Sequence, residues 1–347
     1  MKKLYISSFT FTILIFFALS FIFTNEVYAS LISTKQEISI GEDAAKYVEK
    51  KYKLVDDAAL QARVNKIGQS LVAVSGRKDI KYTFKVLDSD DVNAFALPGG
   101  FIYVFRGLTD KIQTDDELAG ILGHEIAHVV KRHSVNQLEK NMGITILATI
   151  LLSKTENGMT AEPAILSTIA AGYSRSDESE ADKLGFEETL AAGYNPYSML
   201  VGLMKLNTLS PNEKTDLFSD HPSTLKRITK MKEYLHTLNI PVQVKGNEAS
   251  AYVYGPTGQT PTIKISMNGL SPLERAYFIA GNIYKITQQP AYNPDYYLLD
   301  SDGTNISIYY NDIYIMSLTP DDAASASSDL LSLAKEYISS FKQILAS

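Results

Sequence analysis

The sequence predicts an α+β fold, with a mainly helical first part that carries a small sheet and a second part in which strands and helices alternate. Apolar residues recur every three or four positions over residues 42–52, 58–74 and 114–130, as they do on one face of a helix. Runs of β-branched and aromatic residues over 81–87 and 101–105 are typical of strands. The hydrophobic share of 45% and the charged share of 21% are those of an ordinary folded protein.

The length of 347 residues favours two domains after a leader segment. We predict the first domain over residues 30–240, where the chemical motifs lie. Residues 241–347 predict an accessory α+β domain that carries no catalytic constellation. Its expected elements are strands at 251–254 and 262–265, a helix at 271–287, a hairpin around Asn311-Asp312 and one last helix from Thr319 onward.

Residues 1–29 have the three regions of a secretory signal peptide. Lys2 and Lys3 precede an apolar run over residues 4–23, and the small-residue region at 27–29 predicts cleavage before Ser30. We therefore expect export to the periplasm or the extracellular space. The apolar run nearly reaches the roughly 20 residues that span a bilayer, so the alternative is an uncleaved single anchor or peripheral membrane association.

The composition excludes several classes of protein. The chain has no cysteine, which excludes disulfides and a lipid-modified cysteine after the signal. Its net charge is −6 and its lysines and arginines form no basic stripe. Binding to the phosphates of a nucleic acid would require such a stripe, so no nucleic-acid partner is expected.

The most informative motif is His-Glu-Ile-Ala-His at residues 124–128, on a helix that Thr114 opens with a capping box. His124 and His128 lie one turn apart on one helical face, so both imidazoles can bind the same zinc ion. Glu125 lies at the edge of that face and can take a proton from a zinc-bound water. The alternative is an exposed amphipathic helix, but the surrounding apolar residues predict a mostly buried one.

A catalytic zinc ion needs a third protein ligand, and Glu178 is the candidate. Asp182 follows one turn later on the same predicted helix, where it can accept a hydrogen bond from the second ring nitrogen of a metal-bound histidine. Glu180 points to a different face of that helix and is the alternative third ligand.

His133 would be the third ligand only in the longer metzincin pattern HExxHxxGxxH. That pattern requires glycine and histidine at positions that Lys131 and Ser134 occupy here. We therefore interpret His133 as a structural residue near the end of the helix, where its hydrogen bonds suit the exposed carbonyl groups.

Several motifs follow one another in order between residues 35 and 235. They are Asn93-Ala94-Phe95-Ala96-Leu97-Pro98-Gly99-Gly100, Gly107-Leu108, the motif at 124–128, His133, residues 178–182 and His221-Pro222-Ser223. Together they resemble the peptidase family of the CAAX prenyl protease and HtpX, and more closely its soluble periplasmic members. The resemblance implies a gluzincin in which His124, His128 and Glu178 bind one zinc ion per chain and Glu125 is the catalytic base. The membrane-embedded branches carry several spanning helices that this sequence lacks, so a prenyl-protein substrate is not implied.

The resemblance also implies a role for His221, in the loop before Pro222. There it would donate to the transition-state oxyanion, or occupy the fourth coordination position in a resting state. The alternative is an ordinary turn residue before proline.

Asn93, Ala94, Phe95 and Ala96 precede a Gly-Gly turn and an aromatic run, which predicts two strands joined by a turn. The first of them would be an edge strand that binds an extended peptide through main-chain hydrogen bonds. The alternative is an ordinary hairpin beneath the motif helix.

These observations favour an exported zinc endopeptidase that acts on polypeptides, in quality control of envelope proteins as the resemblance suggests. One alternative is a largely latent chaperone-like or binding protein whose zinc site is blocked by His221. Another is a structural zinc protein, with four permanent ligands and no turnover.

Overall fold

The computed structural model describes residues 30–141, 167, 172–209 and 224–346. The predicted leader, residues 1–29, and His221 lie outside the described residues. Within the described ranges, each helix is too short or too polar to cross a bilayer. Helices and small sheets occur together along the chain, so the predicted α+β fold class is confirmed.

Helices dominate the part of the chain before residue 240. They are α1 (Thr34–Lys51), α2 (Ala58–Val74), α3 (Arg106–Lys111), α4 (Asp115–Val130), α5 (Arg175–Ala191), α6 (Ser198–Leu209) and α7 (Thr224–His236). Residues 133–141 are also helical. The strands of this part are β1 (Thr83–Leu87), β2 (Ala94–Leu97) and β3 (Phe101–Phe105), and the short helical turn Pro98–Gly100 joins β2 to β3.

The first sheet has the strand order β1-β3-β2, with β1 parallel and β2 antiparallel to β3. Because side chains alternate between the two faces of a strand, Ala94 and Ala96 pack in the core with α2 and α4, whereas Phe95 packs with α1. Phe95 stacks on Tyr103 of β3, with 5.3 Å between the ring centroids. Strand β2 pairs only with β3 in this sheet, and it is therefore an edge strand.

A buried ion cluster fastens helix α1 to the turn after β2 and to the end of helix α4. The two oxygens of Glu37 accept hydrogen bonds from Arg77 (2.8 Å each), from Arg132 Nε (2.9 Å) and from the Gly99 N–H (3.2 Å). Arg77 also donates to the carbonyl oxygen of Val129 (2.8 Å). Since buried charges are stable only when they are paired, this cluster fixes α1 against the end of α4.

Helices α4 and α5 cross where a glycine faces a glycine. A Cβ atom on Gly185 would lie 2.8 Å from the backbone carbon of Gly123 and 2.8 Å from the backbone nitrogen of His124. A Cβ atom on Gly123 would lie 2.6 Å from Thr189 Oγ1. The two backbones can approach this closely only because neither glycine has a side chain.

The part of the chain after residue 240 contains two antiparallel three-stranded sheets and three α-helices among the described residues. One sheet comprises β4 (Gln243–Asn247), β5 (Ser250–Gly255) and β6 (Gly258–Gln259), and the other comprises β7 (Tyr297–Ser301), β8 (Ile306–Tyr310) and β9 (Ile313–Leu318). The helices are α8 (Pro272–Thr287), α9 (Pro320–Ser325) and α10 (Leu330–Leu345).

Two details of this part differ from the prediction. Residues 262–265 do not form a strand, because Ile263 makes only an isolated bridge to Ala251. The last helix is broken into α9 and α10, because Ser327 has a φ of 54° and Asp329 caps a new helix by accepting from the Ser332 N–H (2.9 Å).

The two parts of the chain share one hydrophobic core. Residues of α5, α6 and α7, among them Leu200 and Met231, belong to the same cluster as residues of α8, β8 and α10. Beside this cluster, buried Asn195 donates from Nδ2 to the carbonyl oxygen of Phe278 (2.8 Å) and to Asn282 Oδ1 (2.9 Å). Apolar packing and a buried polar contact therefore both join the two parts.

Candidate metal centre and active site

Helix α4 carries the motif at 124–128 and begins with the predicted capping box. Thr114 Oγ1 accepts from the Glu117 N–H (3.1 Å), and Glu117 Oε2 accepts from the Thr114 N–H (3.0 Å). Every residue from 117 to 129 is buried. Helix α4 is therefore the mostly buried helix that the sequence predicts, and not the exposed alternative.

The structure brings His124, His128 and Glu178 together, from helices α4 and α5. The two Nε2 atoms lie 3.0 Å apart. Glu178 Oε2 lies 3.6 Å from His124 Nε2, and Glu178 Oε1 lies 3.5 Å from His128 Nε2. All three side chains are buried, with exposed fractions of 5%, 0% and 2%.

These separations suit a tetrahedral zinc ion. Zinc binds histidine nitrogen and carboxylate oxygen at about 2.0–2.2 Å, which places neighbouring ligand atoms roughly 3.3–3.6 Å apart at tetrahedral angles. The separations here, from 3.0 to 3.6 Å, are close to those values. Two histidines and one glutamate are also a donor set of catalytic zinc sites, in which the fourth position is left to water. The residues present therefore fit the metal.

A carboxylate and an arginine support His124 on the side away from His128. Asp182 Oδ1 lies 3.0 Å from His124 Nδ1, which is the contact expected of a carboxylate that orients a ligand. Arg227 donates to Asp182 from Nη2 (2.7 Å) and Nε (2.9 Å). Arg227 Nη1 also lies 3.4 Å from Glu178 Oε2. One buried cation thus contacts two carboxylates of helix α5, those of Asp182 and Glu178.

Burial and the contacts with Arg227 set the charges of His124 and Asp182. Burial lowers the pKa of His124, and the nearby Arg227 guanidinium lowers it further. Burial alone would raise the pKa of Asp182, but the charge of Arg227 and the hydrogen bond with His124 outweigh burial and hold that pKa well below its usual range. At neutral pH the imidazole of His124 is therefore neutral, which is the form that binds a metal, and Asp182 is ionised.

Of the residues around His124, Arg227 was not predicted from the sequence. It lies on helix α7, where the buried positions are Arg227, Met231 and Leu235. These three residues are spaced four apart and so share one helical face. An arginine aligned with the apolar face of a helix is a signal that could have identified it, because a buried arginine needs an anionic partner.

Glu125 is 3% exposed and lines a small pocket of about 40 Å³ beside His124. Asn93 and Ala94 line the same pocket, together with Arg227. The remaining lining residues are Leu108, Gly120, Ile121, Met199, Leu203 and Leu206. The pocket thus joins the motif helix to the start of edge strand β2.

The other predicted site residues lie elsewhere. The side chains of Phe95 and Ala96 are buried in the core, with exposed fractions of 5% and 2%, so they could contact a peptide only through their main chain. Glu180 points away from the paired histidines, with Oε1 2.7 Å from Lys131 Nζ and Oε2 3.2 Å from His133 Nε2. Among the described residues, the structure brings only Glu178 up to both Nε2 atoms.

Comparisons with protein families divide the chain in two. Residues 58–235 match the model of "Peptidase family M48". Residues 241–347 match "Domain of unknown function (DUF8459)".

Comparisons with curated proteins give the following similarities. The "Mitochondrial metalloendopeptidase OMA1" of Arabidopsis thaliana is 33% identical over 183 residues, which are 51% of this chain and 36% of that protein. The "Putative beta-barrel assembly-enhancing protease" of Vibrio cholerae is 28% identical over 220 residues, which are 60% of this chain and 46% of that protein. The "Metalloprotease YcaL" of Escherichia coli is 30% identical over 159 residues, which are 43% of this chain and 61% of that protein.

The chain therefore spans less than two thirds of the length of each of these relatives. The family match covers just over half of the chain and contains the histidine motif and Glu178. It confirms the family resemblance drawn from the sequence motifs. The chain belongs to peptidase family M48, the family of zinc metallopeptidases.

Proposed function

We propose that this protein is an exported zinc-dependent endopeptidase that hydrolyses peptide bonds of unfolded or misassembled envelope proteins. The convergence of His124, His128 and Glu178 is the observation that carries the proposal. The relatives named metalloendopeptidase support cleavage within polypeptides. The relatives named beta-barrel assembly-enhancing protease support an envelope substrate.

His124, His128 and Glu178 would hold one zinc ion per chain. When bound, this ion supplies a Lewis acid that polarises the scissile carbonyl and lowers the pKa of water from about 15.7 to about 7. The neutral state of His124 suits that binding, because a zinc ligand must be free of protons. The ionised carboxylate of Asp182 can accept a hydrogen bond from His124 Nδ1.

Glu125 would act as the general base. Its buried carboxylate lies on helix α4 next to His124 and lines the same pocket, so it can accept a proton from the attacking water. The same carboxyl group can then deliver that proton to the leaving amine. The reaction needs no covalent intermediate with the protein.

Arg227 and His221 would complete the site. Arg227 holds Asp182 in place and balances the negative charge of Glu178. Helix α7 is described from Thr224 onward, and the three residue steps from Thr224 back to His221 can span at most about 10 Å. This short distance supports a position for His221 near the metal, where it donates to the transition-state oxyanion or blocks the fourth coordination position.

An extended polypeptide would bind along edge strand β2. Asn93 and Ala94 line the pocket beside Glu125, so a peptide paired with β2 would pass close to that carboxylate. Main-chain hydrogen bonds would supply affinity that depends little on sequence, as quality control requires. Phe95 and Ala96 would contribute through their backbone groups.

The location and the division of the chain are proposals of the same kind. We propose that residues 1–29 direct export to the periplasm or the extracellular space and are removed, with a retained single anchor as the alternative. We propose that residues 30–240 form the peptidase domain. Residues 241–347 would form an accessory α+β domain, which the separate match of this region to another family supports.

The second candidate function is a largely latent, chaperone-like binding protein. The size of the pocket favours it, since about 40 Å³ is far below the roughly 300–1,000 Å³ of a ligand pocket. In this alternative His221 closes the site until a partner moves it.

Metal analysis combined with casein hydrolysis tests these alternatives. We expect the wild type to bind one zinc ion and cleave casein, and Glu125→Gln to keep the zinc but lose about 10²- to 10⁴-fold in rate. Cleavage by Glu125→Gln at the wild-type rate would contradict the role of Glu125. Zinc with turnover only in His221→Ala would support the latent alternative, and bound zinc without turnover in either protein would support a structural site.

A further inference from the structure

We propose that His133 is a positioning residue for the metal ligand His128, and that Glu180 is the last member of a hydrogen-bond chain that sets the tautomer of His128. The inference rests on the proposed function, because it assumes that His128 binds a metal through Nε2. The sequence alone indicated a structural role for His133 and an alternative ligand in Glu180, and the inference gives both residues a role in positioning His128.

The chain of contacts runs from the interior to the surface. His128 Nδ1 lies 2.9 Å from His133 Nδ1. His133 Nε2 lies 3.2 Å from Glu180 Oε2, and Glu180 Oε1 pairs with Lys131 Nζ at 2.7 Å. His128 and His133 are buried, whereas the side chain of Glu180 is about half exposed, at 47%.

Only one arrangement of protons along this chain is compatible with metal binding. His128 Nε2 faces Glu178 and His124, so it must carry a lone pair toward the metal. The proton of His128 is then on Nδ1, which donates to His133 Nδ1. His133 in turn carries its proton on Nε2, and this group donates to the Glu180 carboxylate. The reverse arrangement would place a proton on His128 Nε2 and block coordination.

The interruption of the helix after α4 allows His128 and His133 to come into contact. On a continuous helix, residues five apart differ by about 140° in direction, so His128 and His133 would not meet. Here Arg132 adopts a φ of 56° in the left-handed region, and a new helical segment begins at residue 133. Glu37 holds this strained residue in place by accepting from Arg132 Nε (2.9 Å).

Two further contacts restrict the ring of His128. Tyr173 stacks on it, with 4.0 Å between the ring centroids and 20° between the planes. The Tyr173 hydroxyl lies 2.7 Å from Ser134 Oγ, next to His133. The stack limits tilting of the His128 ring, while His133 determines which of its nitrogens carries the proton.

The experiment measures zinc affinity of the full chain by competition with a chromophoric chelator. We expect His133→Leu to weaken zinc binding about 10- to 100-fold, which is the usual effect of losing a hydrogen-bond partner of a ligand. His133→Asn should recover most of the affinity, because its amide oxygen can accept from His128 Nδ1. Thermal unfolding of each metal-free variant identifies any loss of affinity that reflects unfolding.

Glu180→Gln should have a smaller effect of about two- to fivefold, because its amide oxygen still accepts from His133. Glu187→Gln is the matched control, since Glu187 is exposed on the same helix and pairs only loosely with Lys183 at 3.9 Å. If His133→Leu is folded and binds zinc as tightly as the wild type, the proposal is overturned while the proposed function stands. A wild type that binds no zinc would overturn both.

Discussion

The crossing of α4 and α5 and the junction between the two parts of the chain both depend on a glycine, but in different ways. At the crossing, a Cβ atom on Gly185 would meet the backbone of Gly123 and of His124 at 2.8 Å. At the junction, a Cβ atom on Gly281 of α8 would lie 2.0 Å from Asn195 Oδ1, an atom of a side chain. A side chain can rotate away, whereas a helix backbone can move only as a whole.

This difference shows how tightly each contact is specified. The residues that would bind zinc lie on the two helices that cross at Gly123 and Gly185, so the distance between these helices determines whether Glu178 reaches the histidines. The junction carries no ligand and is closed by a polar side chain in a large apolar interface. We therefore expect substitutions at the crossing to affect metal binding, and substitutions at the junction to affect stability alone.

The largest effect is expected from Gly185→Ala. The added methyl group must push α5 away from α4, and such overpacking typically costs about 1–3 kcal/mol. The shift would also move Glu178 relative to His124 and His128, so zinc affinity should fall at least about tenfold. Chelator competition and chemical unfolding measure the two effects.

Gly202→Ala is the matched control for that variant. Gly202 lies on α6 and also faces α4, but its nearest neighbour there is a side-chain atom, Ile121 Cγ1, at 3.4 Å. Alanine is favoured over glycine within a helix by about 1 kcal/mol, so Gly202→Ala should be neutral or slightly stabilising and should leave zinc affinity unchanged. Equal losses of zinc affinity in the two variants would contradict the special role of the crossing.

A smaller effect is expected at the junction. Gly281→Ala should displace Asn195 and leave the Phe278 carbonyl and Asn282 without their donor, which costs about 1–3 kcal/mol. In the background of Asn195→Ala the same substitution should cost little, because the conflicting amide is gone. A double-mutant cycle by urea unfolding measures this coupling. Additive effects would contradict the steric conflict between residue 281 and Asn195. A change in zinc affinity would show that the junction is coupled to the metal site.

The last expected effect depends on pH and concerns Glu188, beyond the crossing on α5. Burial raises the pKa of Glu188 to about 7. The hydrogen bond with the Gly76 backbone and the charge of Lys78 lower this pKa, but by less than burial raises it. Its folded pKa therefore exceeds the ordinary value of 4.5, so its contribution to stability is present below about pH 4.5 and is lost as pH rises to about 7. In the wild type, the unfolding free energy should decrease by on the order of 1 kcal/mol per pH unit over that interval. Glu188→Gln should remove this decrease.

The control for this prediction is Glu187→Gln, the exposed neighbour on the same helix. It should keep most of the decrease in unfolding free energy between about pH 4.5 and 7, because the burial of Glu188, the largest cause of its raised pKa, is unchanged, and repulsion from Glu187 is only a minor cause. Parallel profiles for wild type and Glu188→Gln would show that Glu188 does not titrate in this range. Zinc affinity should be unaffected in both variants, which separates this end of α5 from the end that carries Glu178.

The sequence predicted the local features well, because they depend on short spacings. The capping box at Thr114, the helical face shared by His124 and His128, and the edge strand β2 all follow from residues within one or two turns of each other. Glu178 was selected from the acidic segment because Asp182 follows it one turn later, and the family resemblance implied the same ligand. Its distance to the histidines depends on Gly185, whose role could not be deduced before the two helices were seen to cross.

The features that were missed depend on long-range packing. Arg227 reaches the site only because α7 packs against α5 and α6. His133 reaches His128 only because the helix breaks at Arg132. The break between α9 and α10 was missed for a local reason. Ser327, unlike glycine, gives no sequence sign of a left-handed conformation.

The hydrophobic core that the two parts share also bears on how the protein can be handled. A chain that ended at residue 240 would expose the apolar faces of α6 and α7, including Leu200, Met231 and Leu235, to water. Uncovered surfaces of this kind cause proteins to self-associate. The segment that matches the peptidase family is therefore not expected to be soluble when produced alone, and biochemical work should retain residues 241–347.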